Sequence, residues 1–221
     1  SNIIGIVITD YVNPFHMEIL RGIENYAKRR GYIVVTFLHE NCENTDDVVN
    51  YDAMQVDAIL NFTTNVVSES FINSLVSERT VFVDFGRSRG ISFVQDHVLA
   101  MDTAMKRLRE LGHKKVGFIS LVDKKRFDQD QRGVAYRKLL EKYGFCGDEN
   151  LVVYNDDFTL KSEMAGYLCG QTFIEKNPDA TAVFVMNDLA AFGFYRLLYE
   201  KGLRVPDDIS VVGFDGVDML Q

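Results

Sequence analysis

The chain has 221 residues, with 24 Lys+Arg against 32 Asp+Glu for a net charge of −8, and it is 47% hydrophobic and 25% charged. That balance excludes a disordered or low-complexity chain, and the length suits one large domain or two small lobes. So acidic a surface repels phosphate backbones, and no apolar run nears the roughly 18–20 residues of a membrane span, so neither nucleic acid nor membrane is expected to bind this chain directly.

Ile3–Thr9 is dense in Ile and Val without polar alternation, the pattern of a strand buried on both faces. Asn13-Pro14 offers an N-cap followed by proline at the first helical position. Phe15, Ile19, Ile23 and Ala27 then recur at helical spacing until Gly31. Ile33–Leu38 reads as a strand, Thr45–Met54 as a short helix and Ala58–Phe62 as a strand. A helix over Ser68–Ser77 and strands at Val81–Asp84 and Ile91–Val94 complete the first half.

In the second half, Met101, Ala104, Leu108 and Leu111 stripe a helix that ends at Gly112. A strand at Val116–Leu121 precedes a helix over Arg132–Tyr143, closed by Gly144. Leu151–Tyr154 reads as a strand, Ser162–Lys176 as a helix and Ala182–Met186 as a strand. The helix Leu189–Lys201, capped by Gly202, leads to a last strand, Ser210–Phe214. Strands joined by helical crossovers predict an α/β fold of two doubly wound parallel-sheet lobes, residues 1–96 and 97–221.

Ligands of such sheets collect at the carboxyl ends of the strands. Those ends carry Asp10, Tyr11, Asn13, Phe15 and His16, then Asn61, Asp84, Asp96, Arg132, Asp157, Phe158, Asn187, Asp188 and Asp215. Carboxylates and a guanidinium suit vicinal hydroxyls, and aromatic faces suit the apolar side of a sugar ring, so a polyol pocket is the chemical reading. Plainer roles compete at each position. Asp96, Asp188 and Asn13 are placed to cap helices, Phe15 to pack in a core, and Arg132 to be a solvated charge. His39, His97 and His113 show no metal or catalytic spacing, and Lys124-Lys125-Arg126 reads as a solvated loop.

Several chemistries lack their motifs. The turn GIVITDYVNPFH has no glycine fingerprint, and there is no phosphate-binding P-loop and no G-x-S-x-G nucleophile elbow. Asn61 stands where a receiver domain needs a phosphorylatable Asp. Cys42, Cys146 and Cys169 are odd in number and widely spaced, which points to a reducing, cytoplasmic setting without disulfides. A non-enzymatic chain without catalytic residues, metal or cofactor is the expectation.

The stretches NPFHMEILRGIENYAKRRGY, DHVLAMDTAMKRLRELGHKKVGFI and TAVFVMNDLAAFGFYRLLYEKGLRVPDDISVVGFD, with the Arg132 helix start, resemble the effector-binding region of the lactose/galactose repressor family of bacterial transcription regulators. The likeness spans nearly the whole chain. It implies a fold like periplasmic sugar-binding proteins, with a sugar-like effector held in a cleft between lobes. It also implies a homodimer that reaches operator DNA through an N-terminal helix-turn-helix outside this chain. Asp188 and Arg132 match the pair that contacts ligand polar groups, beside Asn187. Phe15, His16 and Phe158 match ring-lining positions, and Asp84, Asp96 and Asp215 match strand ends that touch ligand in some members.

Ala135 departs from the family pattern, which often has glycine there, and the helix after Thr45 is shorter than usual. Against that pattern the chain also stops before a return crossover and terminal helix, so further chain is expected at both ends. Phe71, Ile72 and Leu75 offer one stripe for the dimer, which core packing explains equally well. A periplasmic-type binding protein serving a transporter or chemoreceptor is the alternative on the same fold.

Overall fold

A computed structural model describes residues 2–8, 11–38, 56–62, 81–85, 91–93 and 95–218. The chain divides into two compact units, Ser1–Gln95 and Asp96–Gln221, one residue ahead of the division placed from the sequence.

Among the described residues the first unit holds five parallel strands, β1 (Ile3–Ile8), β2 (Ile33–Leu38), β3 (Ala58–Asn61), β4 (Val81–Phe85) and β5 (Ile91–Phe93), in the order β2-β1-β3-β4-β5. Ile6 and Ile8 pack with Leu20 and Phe62, whereas Val7 packs with Phe37, Val56 and Ile59. The period-2 alternation of β1 thus feeds two cores, which is why its sequence shows no polar face. Helix α1 (Pro14–Arg29) starts where the Asn13 side chain accepts the Phe15 N–H at 3.0 Å, with Pro14 at a position that needs no donor. The helices expected over 45–54 and 68–77, with the dimer stripe on the second, lie outside the described residues.

The second unit holds β6 (Val116–Ile119), β7 (Val152–Val153), β8 (Ala182–Val185) and β9 (Ser210–Val212), parallel in the order β7-β6-β8-β9. Helix α2 (His97–Glu110) precedes β6, and between the strands run α3 (Lys124–Phe127), α4 (Gln131–Tyr143), α5 (Ser162–Lys176) and α6 (Asp188–Glu200). Lys124-Lys125-Arg126, expected in a loop, forms α3 because Asp123 caps it at the Arg126 N–H and Phe127 anchors it in the core. The strand expected at Leu151 starts one residue later, since Glu149–Leu151 is a 3-10 turn. Strand β9 ends at Val212 because the Phe214 and Asp215 N–H groups donate to Asp188 instead of to a neighbouring strand.

Two cores flank this sheet. Phe118, Phe127, Tyr136 and Phe184 fill one, with Phe118 and Phe127 edge to face at 4.8 Å, and the buried Tyr136 hydroxyl donates to the Val116 carbonyl at 2.7 Å. Phe173, Phe194, Leu197 and Leu198 fill the other. Each such side chain contributes about 1.5–3 kcal/mol on burial. Helices α5 and α6 meet backbone to backbone there. A Cβ on Gly193 would lie 1.9 Å from the Glu163 carbonyl oxygen, and one on Gly166 would lie 2.0 Å from that of Ala190. Among the described residues no helix is long and apolar enough to cross a membrane.

Candidate functional site

The carboxyl ends of β8 and β9 are held together by one carboxylate. Strand β8 runs into Asn187, whose side-chain oxygen accepts the Ala190 N–H at 2.8 Å and starts α6. That places Asp188 at the first helical position, 8% exposed. Its Oδ1 accepts the N–H groups of Phe214 at 2.8 Å and Asp215 at 3.1 Å, and its Oδ2 accepts that of Val217 at 3.0 Å. Gly213 leaves room for this approach, since a Cβ there would sit 2.1 Å from Oδ1. The carboxylate assigned to ligand hydroxyls from the sequence is therefore bound up in shaping the loop after β9.

Arg132 reaches the same strand ends from the start of α4. Its Nε and Nη2 donate to the two oxygens of Asp130, each at 2.9 Å, and its Nη1 donates to the Met186 carbonyl at 2.8 Å. A guanidinium has five N–H groups, so one on Nη1 and one on Nη2 remain for a ligand. The guanidinium carbon lies 5.8 Å from the centre of the Phe214 ring. Asp130 also caps α4 by accepting the Arg132 backbone N–H at 2.8 Å. Burial pushes the Asp130 carboxyl up, but the hydrogen bonds and charge of Arg132 outweigh it and hold the group below the usual carboxylate range.

Asp215 and His97 complete the cluster. Asp215 accepts the Asp188 N–H through Oδ2 at 3.2 Å, and among the described residues its Oδ1 carries no hydrogen bond. Burial pushes its carboxyl above the usual range, with Arg132 opposing. The His97 ring meets Phe214 edge-on at 5.8 Å. Burial, then the Arg132 charge, hold His97 below its ordinary 6.5, so the ring is neutral at pH 7. What the arrangement presents is a pair of N–H donors, a carboxylate acceptor and an aromatic ring. Among the described residues no group of three His, Cys, Asp or Glu side chains could hold a metal ion.

Asp96 is exposed and caps α2, accepting the Leu99 N–H at 2.9 Å. Phe158 is 46% exposed beyond β7, at the opposite edge of the sheet from β9, and the Arg126 guanidinium covers its ring at 4.2 Å. Phe15 and His16 sit half-buried in the first turn of α1 with ring centres 5.8 Å apart. Asp84 lies on β4, in register with Asn61 and Ser92. Sequence reasoning passed over Asp130, His97 and Phe214. Asp130 carried a local signal, two residues ahead of Arg132 at a cap position, whereas His97 and Phe214 meet only through the fold.

A two-unit fold of parallel α/β sheets with polar groups gathered at strand ends is the architecture of small-molecule binding proteins. Residues 105–221 match the family described as periplasmic binding protein-like domain, and the chain belongs to that family. It is 28% identical to the HTH-type transcriptional repressor PurR of Haemophilus influenzae (strain PittEE), across 97% of this chain and 64% of that protein. It is 26% identical to the ribose operon repressor of Haemophilus influenzae (strain ATCC 51907 / DSM 11121 / KW20 / Rd), across 98% of this chain and 65% of that protein. These relatives are repressors of the lactose/galactose type, as the motifs imply. The chain thus spans somewhat less than two thirds of the length of the curated relatives it matches. In fold it is similar to the LacI family transcriptional regulator from Enterococcus faecium with bound ribose, at a TM-score of 0.79 and 24% identity over 98% of this chain and 79% of that one.

Proposed function

We propose that this chain is the ligand-sensing part of a transcription regulator, one that binds a small, sugar-like effector and thereby changes the operator affinity of an intact dimer. The observation that carries it is the Arg132 guanidinium beside the Phe214 ring, with two N–H groups unused, at strand ends that also hold the open oxygen of Asp215. Donors and an acceptor so placed suit vicinal hydroxyls, and the ring suits the apolar face of a sugar. Asn187 joins them at the head of α6, and Asp188 shapes the loop that carries Asp215. The resemblance extends the proposed ligand contacts to Phe15, His16, Asp84, Asp96 and Phe158. The repressor relatives, and the ribose bound to the Enterococcus faecium protein, support this reading over a transport-linked binding protein.

The mechanism is conformational and non-enzymatic, in the cytoplasm: the effector shifts the protein between arrangements by no more than its difference in affinity for them. DNA would be read by a module outside these residues. The second copy would dock on α6, whose Phe192, Tyr195 and Tyr199 stand exposed at helical spacing. The test is a thermal-shift screen over neutral mono- and disaccharides and nucleosides, where a ligand at 100 times its Kd stabilises by about 2.7 kcal/mol. A hit that Arg132→Ala abolishes supports the site; a full panel without one rejects it.

A further inference from the structure

Resting on that binding-site reading, we propose that Asp130 sets the charge selectivity of the site, so that Arg132 receives neutral hydroxyl-bearing ligands and turns anionic ones away. A free arginine in a ligand site is a natural partner for carboxylate or phosphate, because its Nε and one Nη form a side-on fork that matches two oxygens. Here Asp130 already fills that fork, with both oxygens at 2.9 Å and the pair largely withdrawn from solvent. The guanidinium enters the site with its charge matched. What it still offers is the pair of N–H groups at its tip, which a hydroxyl or carbonyl oxygen can accept without bringing charge.

The surroundings push the same way. Asp188 and Asp215 stand at the neighbouring strand ends and add negative charge, and Asp215 lies close enough to feel Arg132. His97, the other basic group at Phe214, is half-buried and contributes no positive charge at neutral pH. An arriving phosphate or carboxylate would have to displace Asp130 or sit beside several carboxylates, and like charges brought together oppose binding strongly. Helix capping does not explain the arrangement by itself. A cap needs one side-chain oxygen on the backbone N–H, which Asn or Ser supplies as well, whereas Asp130 grips the guanidinium with two.

Asp130→Asn keeps the cap and removes the charge, and Asp130→Ser is the second variant should the first not fold. Calorimetry with inorganic phosphate, D-ribose 5-phosphate and D-ribose, at ionic strength matched with sodium chloride, compares these with wild type and with Asp130→Asn/Arg132→Ala. Phosphate is expected to bind Asp130→Asn at least about tenfold more tightly than wild type, and the gain is expected to vanish in the double variant. Equal phosphate binding by wild type and Asp130→Asn, no phosphate binding by either, or a gain that survives loss of Arg132 would overturn the proposal. The two readings fail separately. A wild-type protein that no neutral sugar stabilises rejects the effector site, while the phosphate comparison still reports whether Asp130 screens Arg132.

Discussion

Asp188 commits three of its acceptor positions to backbone N–H groups of the loop after β9, so its loss should register first in stability. Asp188→Ala leaves those donors without partners, and unfolding stability is expected to fall by about 3 kcal/mol. Denaturant titration measures this; an unchanged midpoint would show the loop holds its shape without the carboxylate. Arg132→Ala, by contrast, should cost ligand affinity more than fold. His97 and Asp215 each contribute to the pH response. His97 is held below 6.5 by burial and by Arg132, and a base with a depressed folded value resists protonation in the folded state. The stability it supports is therefore present above pH 6.5 and lost as pH falls from there through the lowered folded value. His97→Gln should flatten part of the stability loss that sets in below about pH 6.5. Asp215 runs the other way. Its raised carboxyl favours the folded state below its ordinary 3.8, an advantage lost as pH rises through the folded value.

At the scale of elements, α5 and α6 are held at backbone contact by glycine. Gly193→Ala would place a methyl 1.9 Å from the Glu163 carbonyl oxygen, so the helices must separate or bend. The expected cost is about 1–3 kcal/mol, the usual range for overpacking, read as a lowered melting temperature. A variant as stable as wild type would mean that the helix pair yields at no cost. The outer face of α6 poses a different question. Phe192 is 46%, Tyr195 44% and Tyr199 86% exposed, while Arg196 is bound to Glu163 and lies over the Tyr167 ring, so the nearby charge is matched within the unit. If this face seats a second copy, Phe192→Asp should shift the protein toward monomer in sedimentation at concentrations where wild type is dimeric. A monomeric wild type over the same range removes the dimer from the proposal.

For the molecule as a whole, the net charge of −8 sets one expectation directly. The 221-residue chain should not shift duplex DNA at any salt concentration, because binding of phosphate backbones rests on cationic contacts and counterion release. A salt-sensitive, sequence-selective shift would contradict that. Most strands and helices in the described residues were legible from apolar runs and helical stripes, because buried parallel strands and amphipathic helices write their burial into residue order. The caps at Asn13 and Asp96 were legible too, since each is a contact within a few residues, whereas the cap expected at Asp188 is supplied by Asn187 one residue ahead. The fold class and the family followed from the same local patterns and motifs. What residue order could not give was the division of labour among the carboxylates. Asp188, Asp215 and Asp130 look alike in sequence, each a helix-start or strand-end acid. Asp130 meets Arg132 two residues along the chain, but only the fold gives Asp188 to a loop 26–29 residues away and leaves an oxygen of Asp215 open. The donors to Asp188 are distant in the chain, and a side chain's role at such a site is set by which donors the tertiary fold brings within about 3 Å of it.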